Sequence, residues 1–235
     1  MPKNNPPQHV AIICDGNRRW AKSHGWDVIR GHEFAFDKIF IPLARHAADL
    51  GIKYLTFWVF STENWGRERR EVDALMNIFR HMFDEKAQEL EKENVVIKTI
   101  GDISKFDQDI QEKVKAWVEK TKNNTGITVT FAMNYGGRDE LLRAFSKLIA
   151  NTQYPISNIQ AITKEDVSNN LDTAGTPDPD LIVRTSGEHR LSGFMLWQAE
   201  YSEFYFPKWN FPEFTPEKLD ECVEEYQKRK IRRGK

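Results

Sequence analysis

Several features are scarce or missing in this chain of 235 residues, and each absence removes a class of function. The opening segment, Met1 to Gln8 (MPKNNPPQ), holds no apolar run and reads as a flexible lead-in rather than a secretory signal. No run of 18 apolar residues occurs, so no segment is expected to span a membrane. Cysteine is rare: Cys14 and Cys222 lie far apart, with neither metal-ligand nor redox spacing, as expected of two unpaired thiols in a cytoplasmic protein. Charge of one sign is not in excess. The 34 Lys and Arg against 35 Asp and Glu leave a balance of −1, which argues against a dedicated nucleic-acid binder. Neither G-x-x-x-x-G-K-[ST] nor G-x-G-x-x-G is present, so a P-loop and a dinucleotide fingerprint are excluded.

What is present is material for one sizeable core, with 40% hydrophobic residues. Strand-like and helix-like segments alternate, the pattern of an α/β fold with a mostly parallel sheet. Strands are expected at His9–Cys14, Lys53–Phe60, Val95–Ile100, Ile127–Met133 and Leu181–Arg184, with a short last one at Phe204–Phe206. Helices are expected at Glu33–Leu50, broken or kinked by Pro42, and over Val72–Leu90, where apolar residues recur at steps of three, four and seven. Two more are expected at Asp139–Ile149 and Pro216–Lys228. Without repeats or Gly/Ser-rich linkers, the chain reads as a single domain over 9–227, preceded by the flexible segment 1–8 and followed by a basic tail, 228–235 (KRKIRRGK).

Ligands of open parallel sheets sit beyond the carboxyl ends of the strands. After the first strand comes Asp15-Gly16-Asn17-Arg18-Arg19-Trp20, where Gly16 allows close backbone approach and the following residues can open a helix toward an anion. Arg18, Arg19 and Arg30 can add charge-assisted contacts, and Asp15 is placed for a metal or proton role. A plain Asp–Gly turn with solvated arginines fits the same local spacing equally well. After the second strand, Ser61 to Arg67 and then Glu71 suit a loop over a polar ligand, or a simple helix cap. After the fifth, Arg184 to Ser192 offers a second anion cradle, or a surface loop with a Glu188–arginine pair. Glu203 lies in an apolar run and is expected to have a cationic partner. His32 reads on its own as a hydrogen bonder near a helix start.

Four segments taken together are more specific than any one of them. HVAIICDGNRRWAK (9–22), FSTENWGR (60–67) with Glu71, NYGGR (134–138) and RTSGEHRLSGFMLWQAEYSEFYF (184–206) resemble the signature regions of cis-prenyltransferases of the undecaprenyl diphosphate synthase type. They stand in the family's order and span nearly the whole chain; Cys14 and Pro42 are minor departures. No Asp–Asp dipeptide occurs, which excludes the aspartate-rich motif of trans-type prenyltransferases.

The resemblance implies a six-stranded, mostly parallel sheet flanked by helices, an apolar product tunnel, a homodimer and dependence on Mg²⁺. It implies condensation of isopentenyl diphosphate in cis onto an allylic diphosphate, taken as farnesyl diphosphate. The product would be undecaprenyl diphosphate, the lipid carrier precursor for cell-wall synthesis. Gly16, Asn17, Arg19, Arg30 and His32, with Arg18 and Trp20 beside them, would hold the allylic diphosphate, and Asp15 and Glu203 the metal. Arg184, Arg190 and Ser192 would hold isopentenyl diphosphate. Ser61, Asn64 and Arg67 would form the catalytic loop with His32, and Glu71 would lie against the substrates. The tunnel would run toward the amino ends of the strands, walled by Val72–Leu90, with Val59 near its mouth and Ile127 near its floor. Peripheral membrane contact would come through the product or the basic tail. A metal-dependent phosphohydrolase built on Asp15 and a catalytically inert partner subunit are the rival readings. Inert subunits of this kind lack the strand-tip Asp, and here it is intact.

Overall fold

The computed structural model describes residues 5–151 and 162–229. The described residues build one six-stranded sheet from β1 (His9–Ile13), β2 (Tyr54–Ser61), β3 (Val96–Ile100), β4 (Thr128–Tyr135), β5 (Leu181–Arg184) and β6 (Glu203–Tyr205). Its order is β3-β4-β2-β1-β5-β6, and every neighbouring pair is parallel, so the sheet is wholly rather than mostly parallel. Parallel strands covered on both faces need side chains that tolerate complete burial, which is why β1 reads HVAII and all five residues are buried.

The helices are α1 (Asn17–Ser23), α2 (Val28–Lys38), α3 (Phe40–Asp49), α4 (Arg69–His81), α5 (Ala87–Lys92), α6 (Gln108–Thr121), α7 (Gly137–Asn151), α8 (Lys164–Asn170) and α9 (Pro216–Gln227). The stretch expected as one kinked helix over 33–50 is two helices that part at Ile39. The break agrees with the kink expected from Pro42: its missing N–H and its ring deny the Lys38 carbonyl a helical partner, while Ile39 bonds back to Ala35 and Leu43 bonds to Ile39 on either side. The expected helix over 72–90 is α4, a π-helical turn at Met82–Lys86 and α5, and its apolar face is buried along its length. Two helices were not foreseen. In α6 only Ile110, Val114 and Thr121 are buried among many charges, and α8 is a seven-residue helix signalled by the Thr163–Asp166 capping box.

One sheet face, carrying Val10, Ile12, Leu55, Phe57 and Phe131, shares a single buried cluster with side chains of α2, α3, α4, α6 and α9. The other face, with Ala11, Ile13, Ala132 and Ile182, packs under Tyr135, Phe194 and Met195. Two expected flexible boundaries prove tied down where they are described. The Gln8 N–H donates to Asp180 Oδ2 at 2.7 Å, and Arg229 Nη1 donates to Glu203 Oε2 at 2.7 Å. Residues 1–4 of the expected lead-in and 230–235 of the expected tail lie outside the described residues.

At Gly31, α2 meets α1. A Cβ there would lie 2.2 Å from the Asn17 carbonyl oxygen, so only glycine allows this approach. Gly31→Ala is expected to lower stability by about 1–3 kcal/mol, the usual scale of overpacking, as read from urea denaturation.

Candidate active site

The parallel register sets Ile13 of β1 opposite Arg184 of β5 on one side and Trp58 of β2 on the other. Two residues past Ile13, the Asp15 carboxylate therefore lies beside the Arg184 guanidinium. Arg184 donates to Asp15 Oδ2 through Nη2 at 2.9 Å and Nε at 3.3 Å, and through Nη1 to the Arg190 carbonyl at 2.6 Å and Ser192 Oγ at 2.8 Å. Arg184 is buried, so its charge depends on these acceptors. On the outer side, Arg19 Nη2 reaches Asp15 Oδ1 at 3.3 Å, and its Nη1 bonds Glu188 Oε1 at 3.1 Å. The Asp15 N–H donates to Thr185 Oγ1 at 3.0 Å, and that hydroxyl donates to the Asp15 carbonyl at 2.6 Å, locking the turn.

Gly16 follows with φ 101°, a left-handed conformation at which a Cβ would come 2.4 Å from Asn210 Oδ1. It caps α1, whose first backbone bond runs from Trp20 N–H to the Gly16 carbonyl. The N–H groups of Asn17, Arg18 and Arg19 thus precede the ladder at a helix end that favours negative charge. Asn17 is buried; its Nδ2 donates to the Cys14 carbonyl at 3.0 Å, while its Oδ1 is buried with no partner. A buried orphan acceptor is costly in a resting fold and is expected at a ligand site.

The facing wall comes from the end of β2. Ser61 and Asn64 close a reciprocal cap, the Ser61 N–H donating to Asn64 Oδ1 at 3.0 Å. Arg67 Nη1 donates to Glu71 Oε1 at 2.8 Å, and His32 Nε2 donates to the same oxygen at 3.3 Å. Arg18 Nε lies 3.8 Å from Glu71 Oε2. These partners, the His32 hydrogen bond first among them, hold the Glu71 carboxyl down at about 2 despite its burial. Burial lowers the His32 pKa, against the raising effect of Glu71, so the imidazole is neutral and donates without charge.

Between the walls lies a cleft of about 440 Å³. Its mouth is polar, with Asp15, Gly16, Asn17, Arg18, Arg19, His32, Ser61, Asn64, Arg67, Arg184 and Ser192, and its depth is apolar, with Phe36, Phe40, Trp58, Val59, Phe60 and Phe211. The fold thus gathers most of the residues singled out from the sequence, with Glu71 bonded to them from behind.

Four of those residues stand elsewhere. Trp20 is buried against Trp26 and Phe34 and supports α1 from behind. Arg30 lies over the Trp26 ring, 4.8 Å from its centroid, on the exposed side of α2. Arg190 is exposed and its side chain pairs with Glu188; only its carbonyl touches Arg184. Glu203 pairs with Arg229 and is level with Leu181, at the amino end of β5. Three residues of parallel strand, roughly 10 Å, separate that level from Arg184, so Glu203 does not join Asp15 within one chain. Sequence reading missed Phe36, Phe40 and Phe211 as the apolar floor. Nothing in an isolated Phe distinguishes a cavity wall from core.

A family model described as putative undecaprenyl diphosphate synthase matches residues 13–234. The chain belongs to this prenyltransferase family. Among its relatives is an isoprenyl transferase of Clostridium tetani, 40% identical over 98% of this chain and 90% of the relative. Another is the farnesyl-diphosphate-specific ditrans,polycis-undecaprenyl-diphosphate synthase of Micrococcus luteus, 42% identical over 97% of this chain and 91% of the relative. The crystal structure of lavandulyl diphosphate synthase from Lavandula x intermedia, in complex with dimethylallyl diphosphate, superposes with a TM-score of 0.93. It is 34% identical, over 98% of this chain and 99% of that one.

The depressed carboxyl of Glu71 ties stability to acid. Its contribution is complete above the unfolded value of 4.5 and fades as pH falls toward about 2. A full shift of that size is worth on the order of 3 kcal/mol. Below 6.5 the unfolded chain protonates its histidine before buried His32 does, so both groups lose stabilisation in the same direction. Glu71→Gln is expected to flatten the acid limb of a stability-against-pH curve measured by urea denaturation.

Proposed function

We propose that this chain is a Mg²⁺-dependent cis-prenyltransferase. It condenses isopentenyl diphosphate onto an allylic diphosphate, with farnesyl diphosphate as starter and undecaprenyl diphosphate as product. The observation that carries the reading is Asp15 at a strand tip, clamped by Arg184 and Arg19 at the mouth of a cleft with an apolar floor.

The donor set fits magnesium. Mg²⁺ takes one or two carboxylates and completes its shell with water and phosphate oxygens. Asp15 offers one carboxylate beside Asn17 Oδ1, which lacks a partner, and no cluster of three or more metal-ligating side chains occurs among the described residues. A bound Mg²⁺ would neutralise charge that develops on the departing diphosphate. The chain's own part is electrostatic. Arg19 and the N–H groups opening α1 receive the allylic diphosphate, whose carbon–oxygen bond breaks. Arg184 and Ser192 orient isopentenyl diphosphate, whose double bond attacks the allylic carbon as the diphosphate departs; the resulting cation then loses a proton to a bound diphosphate oxygen. Ser61, Asn64 and Arg67 position the groups from the facing wall.

A phosphohydrolase built on Asp15 would call for more carboxylates than gather here. An inert partner subunit would have no use for the Asp15 clamp. We also propose a homodimer: Leu142, Phe145 and Ile149 expose apolar side chains along α7, with Leu196 and Tyr201 also exposed. No helix among the described residues is long and apolar enough to cross a membrane, and contact with one would be peripheral.

Incorporation of radiolabelled isopentenyl diphosphate, with and without Mg²⁺, tests the reaction. Asp15→Ala is expected to reduce the rate by about 10²–10³ and to lower stability, since buried Arg184 loses its carboxylate; in protein shown to be folded, retention of half the rate would overturn the assignment.

The cleft also bears on product length. Phe36 lines it and, on its other side, a groove of about 360 Å³ between α2 and α4 bounded by Asp37, Ala74, Ile78 and His81. Each added isoprene unit stabilises a buried chain by about 4 kcal/mol, so elongation stops where a wall intervenes. Ile127 is buried in the main core and lines neither space, whereas Phe36 and Phe40 line the cleft. Val59→Trp is expected to shorten the product and Phe36→Ala to lengthen it, as read by thin-layer chromatography of dephosphorylated products.

A further inference from the structure

A covered parallel sheet normally turns aliphatic side chains to both faces. Part of the second face of this sheet is polar. Thr56, Thr130 and Lys98 stand side by side on β2, β4 and β3, paired in register, and with His9 they line a cavity of about 290 Å³ beneath the segment from Asp172 to Thr176.

The hydrogen bonds show which groups there are already occupied. His9 Nδ1 lies 2.7 Å from the Pro177 carbonyl, which can only accept, so this nitrogen carries the proton. His9 Nε2 then accepts from the Thr56 hydroxyl at 2.8 Å. Burial brings the His9 pKa to about 4, so the ring adds no charge. Asp172 is also spoken for: its Oδ2 accepts from Arg143 and from the Gly101 N–H at 3.0 Å, and its Oδ1 lies 3.6 Å from Lys147 Nζ.

Lys98, Thr176 and Thr130 are among the donors that remain. Lys98 Nζ donates to Thr176 Oγ1 at 3.3 Å and makes no ion pair among the described residues. Thr176, having accepted that bond, keeps its own hydroxyl proton to donate. Thr130 is 5% exposed, and its hydroxyl bonds to no described residue. A half-buried cation without a carboxylate, beside a hydroxyl that opens on the cavity without a protein partner, presents converging donors that a bound anion would engage.

We propose that this cavity binds a small tetrahedral oxyanion of the phosphate class, held by Lys98, Thr130 and Thr176. Neighbouring strands are roughly 4.8 Å apart, a spacing that lets one such ion accept from Lys98 and Thr130 together. The third donor comes from the covering segment, outside the plane of the first two. That arrangement suits an ion with three or four oxygens better than a planar carboxylate. The bound ion would also pin the 172–176 segment to the sheet.

On the proposed function the cleft also takes phosphate groups, so the test separates the two sites. Inorganic phosphate is titrated calorimetrically into the full chain and into Arg184→Ala, Lys98→Met and Thr130→Val. One binding event is expected to survive Arg184→Ala and to weaken at least about tenfold in Lys98→Met and Thr130→Val. Those two variants should keep the wild-type KM for both diphosphate substrates and the wild-type Tm without phosphate, and Lys98→Arg should restore binding. Phosphate affinity unchanged in both variants, or no event that survives Arg184→Ala, would overturn the site. Acetate binding as tightly as phosphate would overturn its tetrahedral specificity.

Discussion

The pairing of Asp15 with Arg184 is the interaction on which the rest of the site depends. It joins the tips of two adjacent strands, and it exists because the parallel register sets Ile13 opposite Arg184. A buried guanidinium needs a carboxylate, and the two arginines that hold the strand-tip carboxylate aim it at the cleft. Thr185 fixes the backbone between them, and Gly16 then turns the chain into α1 close against Asn210. Each of these contacts would be lost if either strand slipped by one residue.

Around that pair, the cleft divides its electrostatics between two walls. The β1 and β5 side carries Arg19 and Arg184, compensated in part by Asp15 and Glu188. The β2 side carries Arg18 and Arg67 gathered on Glu71, with neutral His32 completing the group from behind. Both walls keep cations near the mouth without a bare excess of charge, which is how a chain of net charge −1 can still receive two diphosphates. Below the mouth, the aromatic residues of α2, α3 and β2 replace charge with apolar surface within one continuous space.

The same sheet also carries costs that a purely structural fold would avoid. Gly16 is held at positive φ, Asn17 Oδ1 is orphaned, and Ser186 and Ser192 adopt left-handed backbone beside Arg184. On the second face, Thr130 and Lys98 hold polar groups where aliphatic ones would pack. These departures sit where ligands are expected, at the strand tips and in a cavity, rather than in the aliphatic layers of β1, β2 and β4.

Local pattern in the sequence was enough for the strands, because parallel strands buried on both faces read as short apolar runs. His9, Tyr54, Val96, Thr128, Leu181 and Glu203 begin within one residue of expectation. It was enough as well to single out Asp15, Gly16, Asn17, Ser61, Asn64, Arg67 and Arg184 at strand ends, which the structure brings to one cleft. It was enough for the break near Ile39, which Pro42 signals, but not for α6, whose buried stripe is thin. Side-chain direction was hidden too: Arg30 turns out over Trp26, Arg190 turns to Glu188, and Glu203 lies at the far end of the sheet beside Arg229. The sequence by itself determined the strand set, the polar residues at the strand tips and the family, because those follow from residue type and spacing along one segment. Only the tertiary structure decided which cations face the cleft, which aromatic residues close it and which polar groups are left without partners, because each depends on packing between segments distant in the chain.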